Sequence, residues 1–193
     1  MSDKEVLLKV TSDHLNTGLR GIPVGTCRTS FVTPTEGVHY CGYPITELAS
    51  FAPEDIIYLL FNKELPNAEQ SEEIRAELSA RATIPGGIET VLKTLPKDGH
   101  PMDWLSVGIH TLGMLETTND WRADAMNLIA RMPRLMGLIF RIRDGRDQNI
   151  PADDPSATLV DRFVNALDLK DVDKAKMTRV ISTYLVLHMD HGG

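Results

Sequence analysis

The sequence predicts a mainly α-helical, multi-helical fold with a small β-hairpin region at its start. From residue 46 to residue 193, apolar residues recur at helical spacing. Residues 1–45 differ, since glycine and proline punctuate short runs of β-branched and aromatic residues. No internal repeat or low-complexity tract is present. We therefore expect an N-terminal region of strands, residues 1–45, followed by a helical portion, residues 46–193.

Composition bounds the possible functions. Of the 193 residues, 42% are hydrophobic and 24% are charged, which is typical of a globular protein with a real core. A net charge of -7 disfavours a nucleic-acid partner. No 18-residue apolar run or secretory signal is present, and Cys27 and Cys41 form neither a disulfide framework nor a metal spacing. We expect a cytoplasmic protein with no membrane partner.

The first region contains two candidate strands, residues 27–32 and 38–41, bounded by turn-forming residues. A plain surface hairpin and a functional loop are both compatible with this pattern. His39 and Cys41 would share a face in a strand, which is a weak indication of a thiolate pair.

The next part of the chain predicts three shorter helices separated by breaks. Pro53 begins a helix that runs through Phe61, with acidic residues near its positive end. A polar helix is expected over residues 68–81, and a short amphipathic helix over residues 88–95 follows the break at residues 85–87.

Two longer helices follow. In the first, behind Pro101, Met102, Leu105, Ile109 and Leu112 lie at spacings of 3, 4 and 3, which predicts one buried face. Gly108 and Gly113 each cost about 1 kcal/mol relative to alanine in a helix, so we expect close approach of another helix at both.

The second long helix is expected to begin after an N-cap at Asp120 and to end at a C-cap glycine, Gly145. Pro133 lies inside it and predicts a kink. A loop over residues 149–156 and two helices, residues 157–167 and 173–188, complete the chain. The second long helix carries a seam for a facing helix, formed by Leu128, Met132, Leu135, Ile139 and Ile142.

The end of the chain concentrates the most chemistry, with His188, Asp190 and His191 within four residues, followed by Gly192 and Gly193. His188 is compatible with a buried histidine that bonds one neighbour, or with a ligand contact. His191 follows the last apolar residue, and the glycines beside it permit close ligand approach. We therefore favour a ligand role for His191, whose imidazole can donate a hydrogen bond to a carboxylate or carbonyl oxygen.

A metal site is disfavoured. The segment overlaps a His-x-His-x-Asp-His metallohydrolase signature, but the first ligand position is Val186 and the context is helical. No phosphate-binding glycine motif is present. The remaining histidines, which show no ligand spacing, are His14, His39, His100 and His110.

Four landmarks occur in the order found in citrate synthases and together span nearly the whole chain. They are Gly18-Leu19-Arg20-Gly21 with Tyr40-Cys41-Gly42-Tyr43-Pro44-Ile45, Leu95-Pro96-Lys97-Asp98-Gly99-His100-Pro101-Met102, Leu128-Ile129-Ala130-Arg131-Met132-Pro133, and Leu187-His188-Met189-Asp190-His191-Gly192. On these residues the chain resembles the N-terminal part of a citrate synthase.

The resemblance implies a two-domain helical homodimer, associated through its central helices, that condenses acetyl-CoA with oxaloacetate and water to give citrate and CoA, with no cofactor. It assigns oxaloacetate binding to His191, with His188 beside it, and no catalytic residue to this chain, because the enolising residues are expected beyond Gly193. We therefore expect the C-terminal remainder and the small domain to be absent and the 193-residue chain alone to be inactive.

Two positions depart from the family pattern. Cys41 stands where an arginine is usual, and Gly192 stands where many members have glutamate. Three alternatives remain open: a 2-methylcitrate synthase that uses propionyl-CoA, a non-catalytic helical dimerisation module built on the two long-helix seams, and, third, a metallohydrolase.

Overall fold

The computed structural model describes residues 5–18, 20–23 and 25–191. Over these ranges the chain is mainly α-helical, with eight α-helices and one three-stranded sheet, so the predicted fold class is confirmed. Leu19 of the first landmark and the pair Gly192 and Gly193 lie outside the described residues.

The sheet is a short antiparallel meander that follows a 3₁₀ helix, Ser12–Asn16. Its strands are β1 (Ser30–Thr33), β2 (Gly37–Tyr40) and β3 (Tyr43–Pro44). Ser30 pairs with Tyr40 across β1 and β2. The predicted hairpin is present, although its first strand begins three residues later than the sequence indicates.

Four shorter helices come next, and local signals set their ends. They are α1 (Ile45–Leu48), α2 (Pro53–Asn62), α3 (Ala68–Arg81) and α4 (Ile88–Lys93). The Asn67 side chain accepts a hydrogen bond from the Gln70 amide, which explains why α3 begins where the sequence predicts. Gly87 precedes α4 with φ +97°, a conformation that favours glycine.

The longer helices α5 (Pro101–Leu115) and α6 (Trp121–Arg143) are followed by α7 (Leu159–Leu167) and α8 (Lys174–Leu187). Asp120 caps α6 by accepting hydrogen bonds from the amides of Arg122 and Ala123, and Gly145 follows it with φ +67°, as predicted. Helix α6 is continuous through Pro133.

The main core lies between α4, α5 and α6. Leu135, Ile139 and Ile142 of the predicted seam are buried there together with Trp104 and Leu112 of α5. The two seams therefore pack largely within one chain, and this occupancy disfavours them as a dimerisation surface. No helix in the described ranges is long and apolar enough to cross a bilayer.

Two expectations about α5 are wrong. Met102 is 58% exposed, because Trp104 and Gly108 are buried on this helix beside the predicted Leu112. At Gly108 the expected close approach is confirmed, since an added Cβ would lie 2.9 Å from Leu135 Cδ1. Nothing among the described residues lies within 4 Å of a Cβ at Gly113, so that glycine has no packing role.

Candidate functional site

Helix α8 delivers the terminal histidines, and its two ends are well defined. Asp173 caps its start by accepting a hydrogen bond from the Lys176 amide, and His188 is the residue at its C-cap. Val186, in the last turn, is fully buried against Tyr40 and Leu48. The end of the helix is therefore fixed to the sheet by packing.

The turn after α8 is held by two further contacts. The Asp190 amide donates to the hydroxyl of Tyr40, which is fully buried, at 3.3 Å. Met189 packs against two clusters of buried residues, one around Tyr40 and Ile56 and the other around Ile57 and Met126. These contacts place His188 and His191 on either side of an anchored backbone.

His188 is exposed, so its interpretation as a buried histidine is wrong. The expected bond to a neighbour is present, because Nδ1 lies 2.7 Å from the backbone oxygen of Tyr184. The imidazole also stacks on the Tyr184 ring, with centroids 4.1 Å apart. When Nδ1 carries the proton and donates to this oxygen, Nε2 is left to accept a hydrogen bond from a ligand or, when protonated, to donate one.

His191 is exposed as well. Its backbone amide donates to the Asp190 Oδ1 atom at 2.7 Å, which shapes the turn locally. Both imidazoles are thus accessible from solvent. No contact in the described part of the chain tests a ligand role for either one, so that role stays a prediction.

An apolar groove of about 610 Å³ runs beside the histidine turn. Tyr184 and Leu185 of α8 and Met189 form the wall nearest to His188. The rest of this apolar groove is lined by Ile57, Leu60, Phe61, Ile129, Met132, Pro133, Met136, Leu159, Val160, Phe163 and Ile181. It brings together residues of α2, α6, α7 and α8 that no single sequence segment connects.

Cys41 does not form a thiolate pair with His39. It lies after β2 with φ +50°, and its Sγ contacts the backbone oxygens of Thr29 and Leu59 at 3.6 Å each. Burial raises the pKa of the Cys41 thiol above its ordinary value, and nearby Lys63 opposes this shift. His39 instead stacks on Phe31, with ring centroids 4.5 Å apart.

Two other histidines have local structural roles. His100 caps α5, its Nδ1 accepting from the Met102 amide at 3.2 Å, and His14 contacts Thr11 at the start of the 3₁₀ helix. Within the described ranges, no group of three or more histidine, cysteine or acidic residues could hold a metal ion.

Sequence reasoning missed the role of Tyr40. Its hydroxyl lies 150 positions before the amide that it binds, so local patterns carry no signal for this contact. The only available hint was its place in one of the four landmarks, which does not reveal its partner.

A family model, a related protein and solved structures all match this chain to citrate synthases. A family model described as "Citrate synthase, C-terminal domain" matches residues 18–193. The chain is 26% identical over 216 residues to the peroxisomal citrate synthase of Saccharomyces cerevisiae, an alignment that covers 98% of this chain and 46% of that protein.

Two solved structures share the fold. Citrate synthase from Thermotoga maritima has a TM-score of 0.76 at 20% identity, and the match covers 90% of this chain and 46% of that one. Citrate synthase from Thermoplasma acidophilum, solved in a ternary complex with carboxymethyl coenzyme A and oxaloacetate, has a TM-score of 0.80 at 20% identity, and the match covers 91% of this chain and 47% of that one. The chain spans about half the length of the relatives it matches.

At 20% identity, both solved structures establish a shared fold. The family match over residues 18–193 covers most of the chain, including the helix and turn that carry His188 and His191.

Proposed function

The chain belongs to the citrate synthase family, and from this premise we propose that it provides the helical core and the oxaloacetate-binding turn of a citrate synthase. The proposed reaction condenses acetyl-CoA with oxaloacetate and water to give citrate and CoA. Acetyl-CoA acts as a co-substrate, and no cofactor is needed.

One observation carries this proposal: two exposed imidazoles stand at the end of a helix whose last turn is fixed in the core. Val186 and Met189 are packed, and the Asp190 amide is bound by Tyr40, so the backbone between His188 and His191 is preorganised. Preorganised donors stabilise an anionic ligand better than mobile ones, because little conformational entropy is lost on binding.

The proposed roles of the imidazoles follow from their hydrogen-bonding groups. His191 has its ring in solvent and can donate to a carboxylate or to the keto oxygen of oxaloacetate. His188 has Nδ1 at the Tyr184 backbone oxygen, so its Nε2 is the ring nitrogen left for a ligand. No lysine or arginine occurs in residues 184–191, so a dianion held by this turn alone would bind weakly.

We assign proton abstraction and enol stabilisation to groups outside residues 1–193. A carboxylate base and a histidine are required to form the enol of acetyl-CoA. We expect both from the half of the relatives' length that the match does not cover.

A thiol-release assay with acetyl-CoA and oxaloacetate tests this division of roles. The 193-residue chain alone is expected to show no turnover above background. Turnover by the purified chain would contradict the assignment of the enolising groups to other residues.

The acyl group is a separate question, since a 2-methylcitrate synthase would use propionyl-CoA. Comparing the rates with acetyl-CoA and propionyl-CoA decides which acyl group is used. The comparison needs a longer form of the protein that includes the part of the relatives' length not covered by this chain. A higher kcat/KM with acetyl-CoA is the expected result, and the opposite preference would replace the proposed substrate.

We also propose a cytoplasmic homodimer. The apolar groove, which Pro133 and Met136 of the central helix α6 help to line, supports association because it exposes apolar surface that water solvates poorly. Light scattering on the purified chain is expected to give twice the chain mass, and a monomer at all concentrations would contradict the dimer.

A further inference from the structure

A polar cleft of about 750 Å³ lies on another part of the molecule. The end of α3, the segment before α4, and the loop between α6 and α7 form its walls. None of its lining residues belongs to residues 184–191, so an inference drawn from it does not depend on the proposed function. The polar side chains that define this polar cleft include Ser79, Thr83, Gln148, Asn149, Arg134 and Arg162.

Arg162 of α7 differs from the other polar residues that line the polar cleft. Its residue exposure is 2%, and its Nε atom is buried without a hydrogen-bond partner. Across the described ranges its guanidinium forms no ion pair or hydrogen bond. A guanidinium keeps its charge in proteins, and a buried charge is costly unless something pairs with it.

The neighbouring arginines are all committed to the protein itself. Arg134 donates to the backbone oxygens of Pro151 and Ile150 and pairs with Asp153 at 2.9 Å. Arg141 donates to the Ala166 oxygen at 2.7 Å. Arg162 therefore differs from arginines that only fasten the loop between α6 and α7.

A buried carboxylate lies at the start of α7. Glu54 of α2 is 1% exposed, and its Oε2 atom also lacks a partner, while Oε1 accepts from the Leu159 amide at 2.6 Å. Glu54 and Arg162 do not form an ion pair in this structure. Arg162, unlike Glu54, lines the polar cleft.

We propose that the polar cleft binds a small polar molecule through one carboxylate group held by Arg162. The planar guanidinium matches a carboxylate in two parallel hydrogen bonds. Three lining carboxylates, from Glu89, Asp147 and Asp153, disfavour a polyanion. Lys93 pairs with Glu89 and Arg134 pairs with Asp153, which leaves Asp147 with no ion pair in the described ranges. The volume is in the range of small-molecule sites.

The test uses potassium acetate as the carboxylate probe, with potassium chloride at equal ionic strength as the control. In the 193-residue chain, acetate is expected to shift the Nε–H resonance of Arg162 in a saturable way. At ten times its Kd, acetate should lower the unfolding equilibrium constant about 11-fold. Inorganic phosphate is expected to bind more weakly.

Two variants separate a site from general charge effects. Arg162→Met should abolish the acetate response, whereas Arg75→Met, which removes the same charge from α3 outside the polar cleft, should retain it. If Arg162→Met does not fold, the Nε–H titration of the unmodified chain decides.

Three results would overturn the proposal. The first is an Arg162 Nε–H resonance that does not respond to a 100-fold excess of acetate over protein at about 0.1 M salt. The second is a response to phosphate equal to the response to acetate. The third is an Arg162 Nε–H resonance that moves in Glu54→Gln without any added anion, while acetate has no effect. The last would show that Arg162 pairs with Glu54 inside the fold.

Discussion

At the scale of single residues, Tyr40 determines where the terminal histidines lie. Its buried hydroxyl is the group that binds the Asp190 amide. Tyr40→Phe is expected to reduce the free energy of unfolding by about 0.5–1.5 kcal/mol, the usual net value of one hydrogen bond. Urea unfolding measures this change.

Tyr43→Phe is the matched control, because Tyr43 lies on β3 beside Tyr40 and is half-buried. It should change stability less than Tyr40→Phe. Equal effects in both variants would mean that the Asp190 contact contributes nothing measurable.

Cys41 gives a prediction that depends on pH. Burial raises its pKa, so the folded protein keeps the protonated thiol. Its contribution to stability is fully present below the unfolded-state pKa and is lost as pH rises through the higher folded-state pKa. At pH 8, iodoacetamide should therefore modify exposed Cys27 faster than Cys41, as mass spectrometry of the peptides would show. Faster modification of Cys41 would contradict this explanation.

The site could be predicted in part from the sequence. The cluster of His188 and His191 after an apolar helix was visible as a pattern. The exposure of His188 was not, because it depends on how Tyr184 packs against its ring. Arg162 carried no signal, since its burial results from the contacts of α7 with neighbouring helices.

At the scale of elements, the approach of α6 and α7 depends on Gly137. A Cβ at this position would clash with the Ala166 side chain and lie 3.0 Å from the Ala166 carbonyl carbon. Gly137→Ala is expected to destabilise the protein by about 1–3 kcal/mol, because helix backbones would have to move apart. Denaturant unfolding measures the loss.

Gly113→Ala provides the comparison in α5, since a Cβ there meets nothing within 4 Å among the described residues. It should leave stability unchanged or raise it by up to about 1 kcal/mol, through higher helix propensity. Destabilisation of similar size in both variants would argue against close packing at Gly137.

Helix ends were predicted better than helix faces. The N-caps Asn67 and Asp120 act through local hydrogen bonds, which the sequence records directly. On α5, Leu105, Ile109 and Leu112 pack in or against the core as predicted, and Met102 does not. Trp104 was not counted, although its side chain is buried and its indole donates to the Pro96 oxygen at 3.1 Å. Such contacts depend on tertiary structure.

At the scale of the whole molecule, the end of α8 joins distant parts of the chain. Val186 packs with the sheet and α2, and Met189 contacts the cluster that includes Met126 of α6. The histidine turn is therefore held by contacts with both regions. Its position next to the apolar groove places the proposed ligand site at the edge of an exposed apolar surface.

Imidazole ¹⁵N–¹H spectra of the chain with added oxaloacetate test whether this turn contacts a keto-diacid through His191. His110, which is exposed on α5, serves as the internal reference. We expect saturable shifts at His191 and smaller ones at His188, with none at His110. Unchanged His191 signals, or equal shifts at all three histidines, would contradict it.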